Sequence, residues 1–189
     1  MQFNPDCGCL IVADPTETLC DLFESSCIEL FSGLNCQIQK LAADDSIMGK
    51  APIAYIDAGS EDIELFVALH VPFSVLTMTY PEFAAEIIMA VSEEVLEDWI
   101  SELANQLMGR FKHKLLQNSC QITIGLPDLL YDGQSDQLPV KHLVPHHFFF
   151  DVDREIVKCS LYLQILNPNL TLAPSQEDEG PGEGELEFF

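Results

Sequence analysis

Asp98, Glu102, Asn105, Gly109 and Lys112 follow one another at alternating intervals of four and three residues. On an α-helix, at about 3.6 residues per turn, that spacing gathers all five into one narrow stripe. The opposite side of the same segment carries Leu96, Trp99, Ile100, Leu103, Ala104, Leu107 and Phe111, a broad apolar face suited to a core. The stripe is a costly choice for a surface that only meets water. Relative to alanine, asparagine costs roughly 0.6 kcal/mol in a helix interior and glycine about 1 kcal/mol. Lysine or glutamate would serve solvation better. Glu102 and Asn105 lie three apart, so a carboxylate, which only accepts hydrogen bonds, emerges beside a carboxamide, which accepts and donates. Such a pair can enter one small site together. Gly109 leaves a gap in the side-chain cover through which another backbone can approach closely. The physics alone leaves two readings open, a functional face and a solvated one.

The helix that must carry this stripe is expected over about 94–116, with Ser92 as its cap and Glu93 and Glu94 in an acidic first turn. Arg110, Lys112, His113 and Lys114 fall at its C-terminal end, where cations complement the helix dipole. That reading is preferred to a phosphate-binding patch. An earlier helix is expected over 16–40, from Leu19, Leu22, Phe23, Cys27, Leu30, Phe31 and Leu34 at helical spacing. Asp14-Pro15 supplies its start, and Gly33 is where it could end or bend. Residues 52–57 and 63–71 read as strands. The second is too apolar to have a wet face, so a helix should cover one side, with Ala68 and His70 on the other. Pro72 and Pro81 confine 73–80 to a short helix at most, and 81–91 reads as another helix. Residues 120–125 follow as a strand ending at Leu126-Pro127, then a polar loop over 132–145. A hairpin of 147–152 and 155–166, turning at Asp153-Arg154, ends at Asn167-Pro168-Asn169. Helices and strands so segregated predict an α+β fold, a mostly antiparallel sheet covered on one face by long helices. One domain is expected over 1–173, and an acidic, solvated or disordered tail over 174–189. Phe188-Phe189 at its end is read as a frayed terminus in preference to a docking hook.

The net charge of −23 disfavours nucleic acid and anionic membrane surfaces as partners. No run reaches the roughly 20 apolar residues of a membrane span, and the first residues lack the basic-then-apolar pattern of a signal peptide, so a cytoplasmic location is expected. Seven cysteines at irregular intervals suit free thiols better than a disulfide framework. Cys7-x-Cys9 has no second pair at metal-finger spacing, and adjacent His146 and His147 would point to opposite faces of a strand. No metal site is expected, and neither a glycine-rich phosphate loop nor a nucleophile elbow is present.

The stripe resembles the helical motif of the CheC, CheX and FliY phosphatases. That pattern is Asp or Ser, then Glu-x-x-Asn, then Pro about twenty-two residues later. Here it reads Asp98-x-x-x-Glu102-x-x-Asn105, with Gly109 following as in the family's Glu-x-x-Asn-x-x-x-Gly. Ile124-Gly125-Leu126-Pro127 is similar to the family's proline-ending strand. The likeness in element order spans most of the chain, while the likeness in residues is concentrated over 98–127. Two departures stand out. Twenty-one residues separate Asn105 from Pro127, one fewer than the pattern. The chain also holds one full motif, as in CheX, because Ser25-x-x-x-Glu29-x-x-Ser32 carries serine where asparagine belongs.

The resemblance implies hydrolysis of the aspartyl phosphate of a CheY-type response regulator. An acyl phosphate is already reactive and the regulator brings its own Mg2+, so placing a water in line is enough, and the chain needs no cofactor of its own. By resemblance Asn105 would orient that water, Glu102 would contact the regulator's active-site lysine, and Asp98, Gly109 and Lys112 would assist docking. An alternative is a catalytically inactive relative acting as an interaction module. A homodimer is also implied, with the closing strand, 157–166, offered as its exposed edge.

Overall fold

Asp14 starts the first helix as its sequence requires, its Oδ1 accepting from Thr16 N at 2.9 Å while Pro15 occupies the first turn. In the computed structural model, which describes residues 14–42, 51–81, 91–131 and 138–173, this helix is α1 (Pro15–Gly33). Leu19, Phe23, Cys27, Leu30 and Phe31 are its fully buried face. It stops seven residues before the expected end at 40. Asn35 adopts φ 62°, its N–H bonds to Ser32 O at 3.0 Å, and Cys36 N reaches Phe31 O at 3.1 Å. These two bonds form a Schellman stop, for which asparagine is a tolerated left-handed residue. The residues freed by it form β1 (Ile38–Leu41).

The chain continues through β2 (Ile53–Gly59), β3 (Ile63–His70), α2 (Phe73–Thr79), α3 (Glu93–Gln117), β4 (Thr123–Ile124), β5 (Asp128–Leu130), β6 (Val144–Val152) and β7 (Glu155–Ile165). The sheet order is β1-β6-β7-β3-β2-β4, with β5 also on β2 and every pairing antiparallel. This is the α+β arrangement that the segregated sequence predicts. The closing strand is not an edge, however. β7 lies between β6 and β3, paired with β6 over 155–163 and with β3 over 158–165, so the edges are β1, β4 and β5. Length explains this: only an apolar run such as Val157, Cys159, Leu161 and Leu163, alternating on one buried face, can serve as a central strand.

One face of the sheet meets α1 and α3. Leu65, Val67 and Leu69 of β3, Phe148 and Phe150 of β6 and the inner residues of β7 join both helices in one core. The other face keeps Ala68 and His70, as expected, and Ile53, Phe66 and Ala68 are covered there by Leu138 and Leu143. The strand expected over 120–125 is reduced to the two residues of β4, β5 forms where none was expected, and β6 begins three residues early at Val144. Most of the helix expected over 81–91, residues 132–137 of the loop, Cys7, Cys9 and the tail lie outside the described residues. Among the described residues no helix is long and apolar enough to cross a membrane.

Candidate functional site

α3 begins at Ser92, whose hydroxyl accepts from Val95 N at 3.4 Å, and Glu93 and Glu94 add negative charge to the first turn. It ends with a second Schellman stop. Ser119 has φ 60°, Ser119 N bonds Leu116 O at 3.1 Å, and Cys120 N bonds Leu115 O at 2.9 Å. Leu96, Trp99, Ile100, Leu103, Ala104, Leu107, Met108, Phe111 and Leu115 are buried between these ends. Two fixings set the rotation of the helix. Trp99 Nε1 donates to Thr79 Oγ1 of α2 at 3.0 Å, satisfying a buried indole N–H. Phe111 meets Phe23 of α1 edge-on, with ring centroids 5.3 Å apart.

With the apolar face so held, Asp98, Glu102, Asn105, Gly109 and Lys112 are all exposed on the outer side of α3. The structure brings the five predicted residues onto one stripe of one rigid element. Glu102 Oε1 accepts from Gln106 Nε2 at 3.0 Å, which leaves its second oxygen available. A Cβ built on Gly109 would meet nothing within 4 Å, so the gap in side-chain cover is real. Pro127 is half-buried in the link between β4 and β5. The preceding Gly125 is a close-approach position, since a Cβ there would sit 2.2 Å from Asp57 Oδ1.

The stripe is convex and open to water. All five of its side-chain positions are exposed, an arrangement suited to entering a pocket of another protein. Beside it, between α1 and α3, runs an open groove of about 570 Å³, lined by Glu29 of α1 and by Gln106, Gly109, Arg110, His113 and Lys114 of α3. The described part of the polar loop contributes nothing to this groove. Glu29 of the degenerate Ser25-Glu29-Ser32 series is engaged there, with Lys114 Nζ at 2.6 Å. Sequence reasoning missed Leu116, which is 56% exposed. It stands four residues beyond Lys112 and extends the stripe by one apolar step, a signal present in the spacing.

Thiol chemistry is disfavoured. Burial, and then nearby carboxylates, push Cys20 and Cys36 up to about 11. Burial pushes Cys27 and Cys120 up as well, so these four are protonated at neutral pH. His147 bonds Ser160 Oγ through Nδ1 at 2.9 Å on one face of the sheet, while His146 shares the helix-side parity of Phe148 and Phe150. Among the described residues no three His, Cys, Asp or Glu side chains cluster as metal ligands.

No protein-family model matches the chain, and no curated protein sequence does. Solved structures do. CheX from Vibrio vulnificus is similar with a TM-score of 0.65 at 12% identity, over 80% of this chain and 100% of that one. CheX from Desulfovibrio desulfuricans is similar with a TM-score of 0.58 at 10% identity, over 78% of this chain and 99% of that one. A structure of Borrelia burgdorferi CheX in complex with CheY, BeF3 and Mg2+ gives a TM-score of 0.56 at 16% identity, over 80% of this chain and 98% of that one. The helices, the antiparallel sheet and their order are therefore those of the CheX- and CheC-like chemotaxis proteins, whose fold this chain has.

Proposed function

We propose that the chain is a phosphatase of CheY-type response regulators, working by insertion of the outer face of α3 into the regulator's phosphorylation site. The observation that carries this reading is the exposure of Glu102 and Asn105 side by side on a helix clamped from behind by Trp99 and Phe111. Rigid backing favours this role, because positioning is the whole of the catalysis required. The Asn105 carboxamide oxygen would accept from a water and hold it in line with the acyl phosphate. Attack at phosphorus breaks its bond to the aspartyl oxygen, releasing inorganic phosphate and the free carboxylate. The regulator's own Mg2+ would neutralise charge on the phosphoryl oxygens, and no cofactor is assigned to this chain. Glu102 would accept from the regulator's lysine, with Asp98, Gly109 and Lys112 along the docking line. Such a partner places the chain in the cytoplasm.

The shortened interval between Asn105 and Pro127 favours a second reading, an interaction module of the same fold that binds a regulator without hydrolysing its phosphate. One assay separates the two. Phosphate release from phosphorylated, Mg2+-bound CheY-type regulators should accelerate with the native chain. Asn105→Ala should lower that acceleration by roughly 10²-fold, the scale set by misplacing a reacting group. The variant should still bind a regulator carrying a beryllofluoride phosphoryl mimic. Binding without acceleration by the native chain, across a panel of regulators, would establish the second reading instead.

A further inference from the structure

Two parts of this chain carry concentrated charge of opposite sign. Arg110, Lys112 and Lys114 are three of only eight Lys and Arg residues in a chain of net charge −23. Arg110, His113 and Lys114 line the groove between α1 and α3. Its one carboxylate, Glu29, is already paired with Lys114 at 2.6 Å. Arg110 and Lys112 have no ion-pair partner among the described residues. Residues 174–189, in contrast, hold Glu177, Asp178, Glu179, Glu183, Glu185 and Glu187 and no Lys or Arg.

The last strand before the acidic segment ends at the end of the sheet where the chain also leaves α3. As the chain leaves β7, Leu166 N donates to Asp62 O at 2.7 Å and Asn167 Nδ2 to Asp62 Oδ1 at 2.7 Å. Ile165 pairs with Ile63 at the start of β3, and Gly59 at the end of β2 pairs with Thr123, which follows α3 by six residues. The exit of β7 and the chain that follows α3 thus lie at one end of the sheet. Leu170 and Leu172 then pack against the helix-covered core before the described chain ends at Ala173. Residues 174–189 can reach about 50 Å from there at roughly 3.3–3.6 Å each. A small domain is only about 30 Å across.

We propose that the acidic segment 174–189 docks within the same molecule along the groove lined by Arg110, His113 and Lys114, with Lys112 on the adjoining stripe. Tethering makes weak attraction sufficient. A short flexible tether gives an effective concentration in the mM range, so a contact with a Kd of about 1 mM between separate molecules is roughly half occupied within one. The docking itself does not depend on the phosphatase reading. Its consequence rests on that reading: the docked segment would cover the Gly109 and Lys112 half of the α3 stripe and compete with a regulator for it.

Photo-crosslinking tests the contact in the full chain with no regulator present, using Gly184→p-benzoylphenylalanine. Crosslinks are expected on residues 106–117 and 25–33, joining light to light and heavy to heavy in a mixture of isotope-labelled chains. They should fall several-fold in ~1 M NaCl, where the screening length shrinks to about 3 Å. They should fall similarly in the chain carrying Arg110→Glu and Lys112→Glu, with circular dichroism confirming its fold. Lys141→Glu with Arg154→Glu makes the same charge change elsewhere and should leave them intact. Crosslinks confined to another element, spread over the surface or insensitive to salt would overturn the proposal. So would crosslinks between light and heavy chains, which would assign the contact to a second copy. Loss of the phosphatase reading would leave the expected pattern unchanged, so the two failures are separable.

Discussion

Gly109 is exposed in mid-helix, and an added Cβ would meet no heavy atom within 4 Å. Gly109→Ala should therefore relieve the backbone-entropy cost without strain and stabilise the chain by about 1 kcal/mol. For a chain of this size that corresponds to a Tm higher by about 2–4 °C. Thermal unfolding followed by circular dichroism checks it, and an unchanged or lower Tm would mean that α3 itself needs the glycine. A stabilising residue left out of an open position is what a face reserved for a partner would show. The stripe was legible in the sequence because its five residues obey one helical spacing and two of them oppose helix propensity. The bond from Gln106 to Glu102 was not, since spacing names neighbours but not the rotamers that join them. The engagement of Glu29 with Lys114 was hidden for another reason: it joins two helices whose relative rotation is set by packing at Phe23 and Phe111.

At the scale of elements, β5 is held on β2 by three backbone pairs and one side-chain strap. Tyr55 hydroxyl donates to Asp128 Oδ2 at 2.8 Å, between residues that are themselves partners in the ladder. That hydrogen bond raises the Tyr55 phenol above its ordinary 10.0. The same bond, followed by the Leu129 N–H, lowers the Asp128 carboxyl below its ordinary 3.8. The signs define a window. The Asp128 contribution is present above the unfolded carboxyl value and is lost as pH falls through the lower folded one. The Tyr55 contribution is present below the unfolded phenol value and is lost as pH rises through the higher folded one. Asp128 is exposed and Tyr55 only half-buried, so the effect is small. Denaturant midpoints of the native chain and Tyr55→Phe should differ most near neutrality and converge as pH falls below the ordinary carboxyl range and as it rises above the ordinary phenol range. A difference that stays constant across that range would sink the strap. β5 escaped sequence reading because three residues carry too little alternation to signal a strand. β1 escaped because its residues extend a helical apolar pattern past the point where Asn35 turns the chain. Helix starts were clearer, since Asp14-Pro15 and Ser92-Glu93-Glu94 act locally.

For the whole molecule, a net charge of −23 sets carboxylates against one another over the entire surface. Self-repulsion of this kind opposes the compact state. Raising NaCl from ~0.01 M to ~0.1 M, which shortens the screening length from about 30 Å to about 10 Å, should therefore raise the Tm. Calorimetry across that range tests it, and a flat or falling Tm would mean that local pairs such as Lys40 with Glu24 already balance the field. Fold class was legible because element types alone restrict how layers can stack. Strand order was not, because which strand neighbours which is decided by pairings far apart in sequence. The position of β7 has a consequence for how the protein is made. β3 is finished when His70 leaves the ribosome, yet the strand that closes its second side, residues 155–165, does not yet exist. At about 5–20 residues per second, the nascent β2–β3 hairpin waits on the order of ten seconds with an apolar ladder open. Through that interval the ladder is exposed to mispairing and to chaperones, and the sheet becomes continuous only once residues 155–165 have been translated.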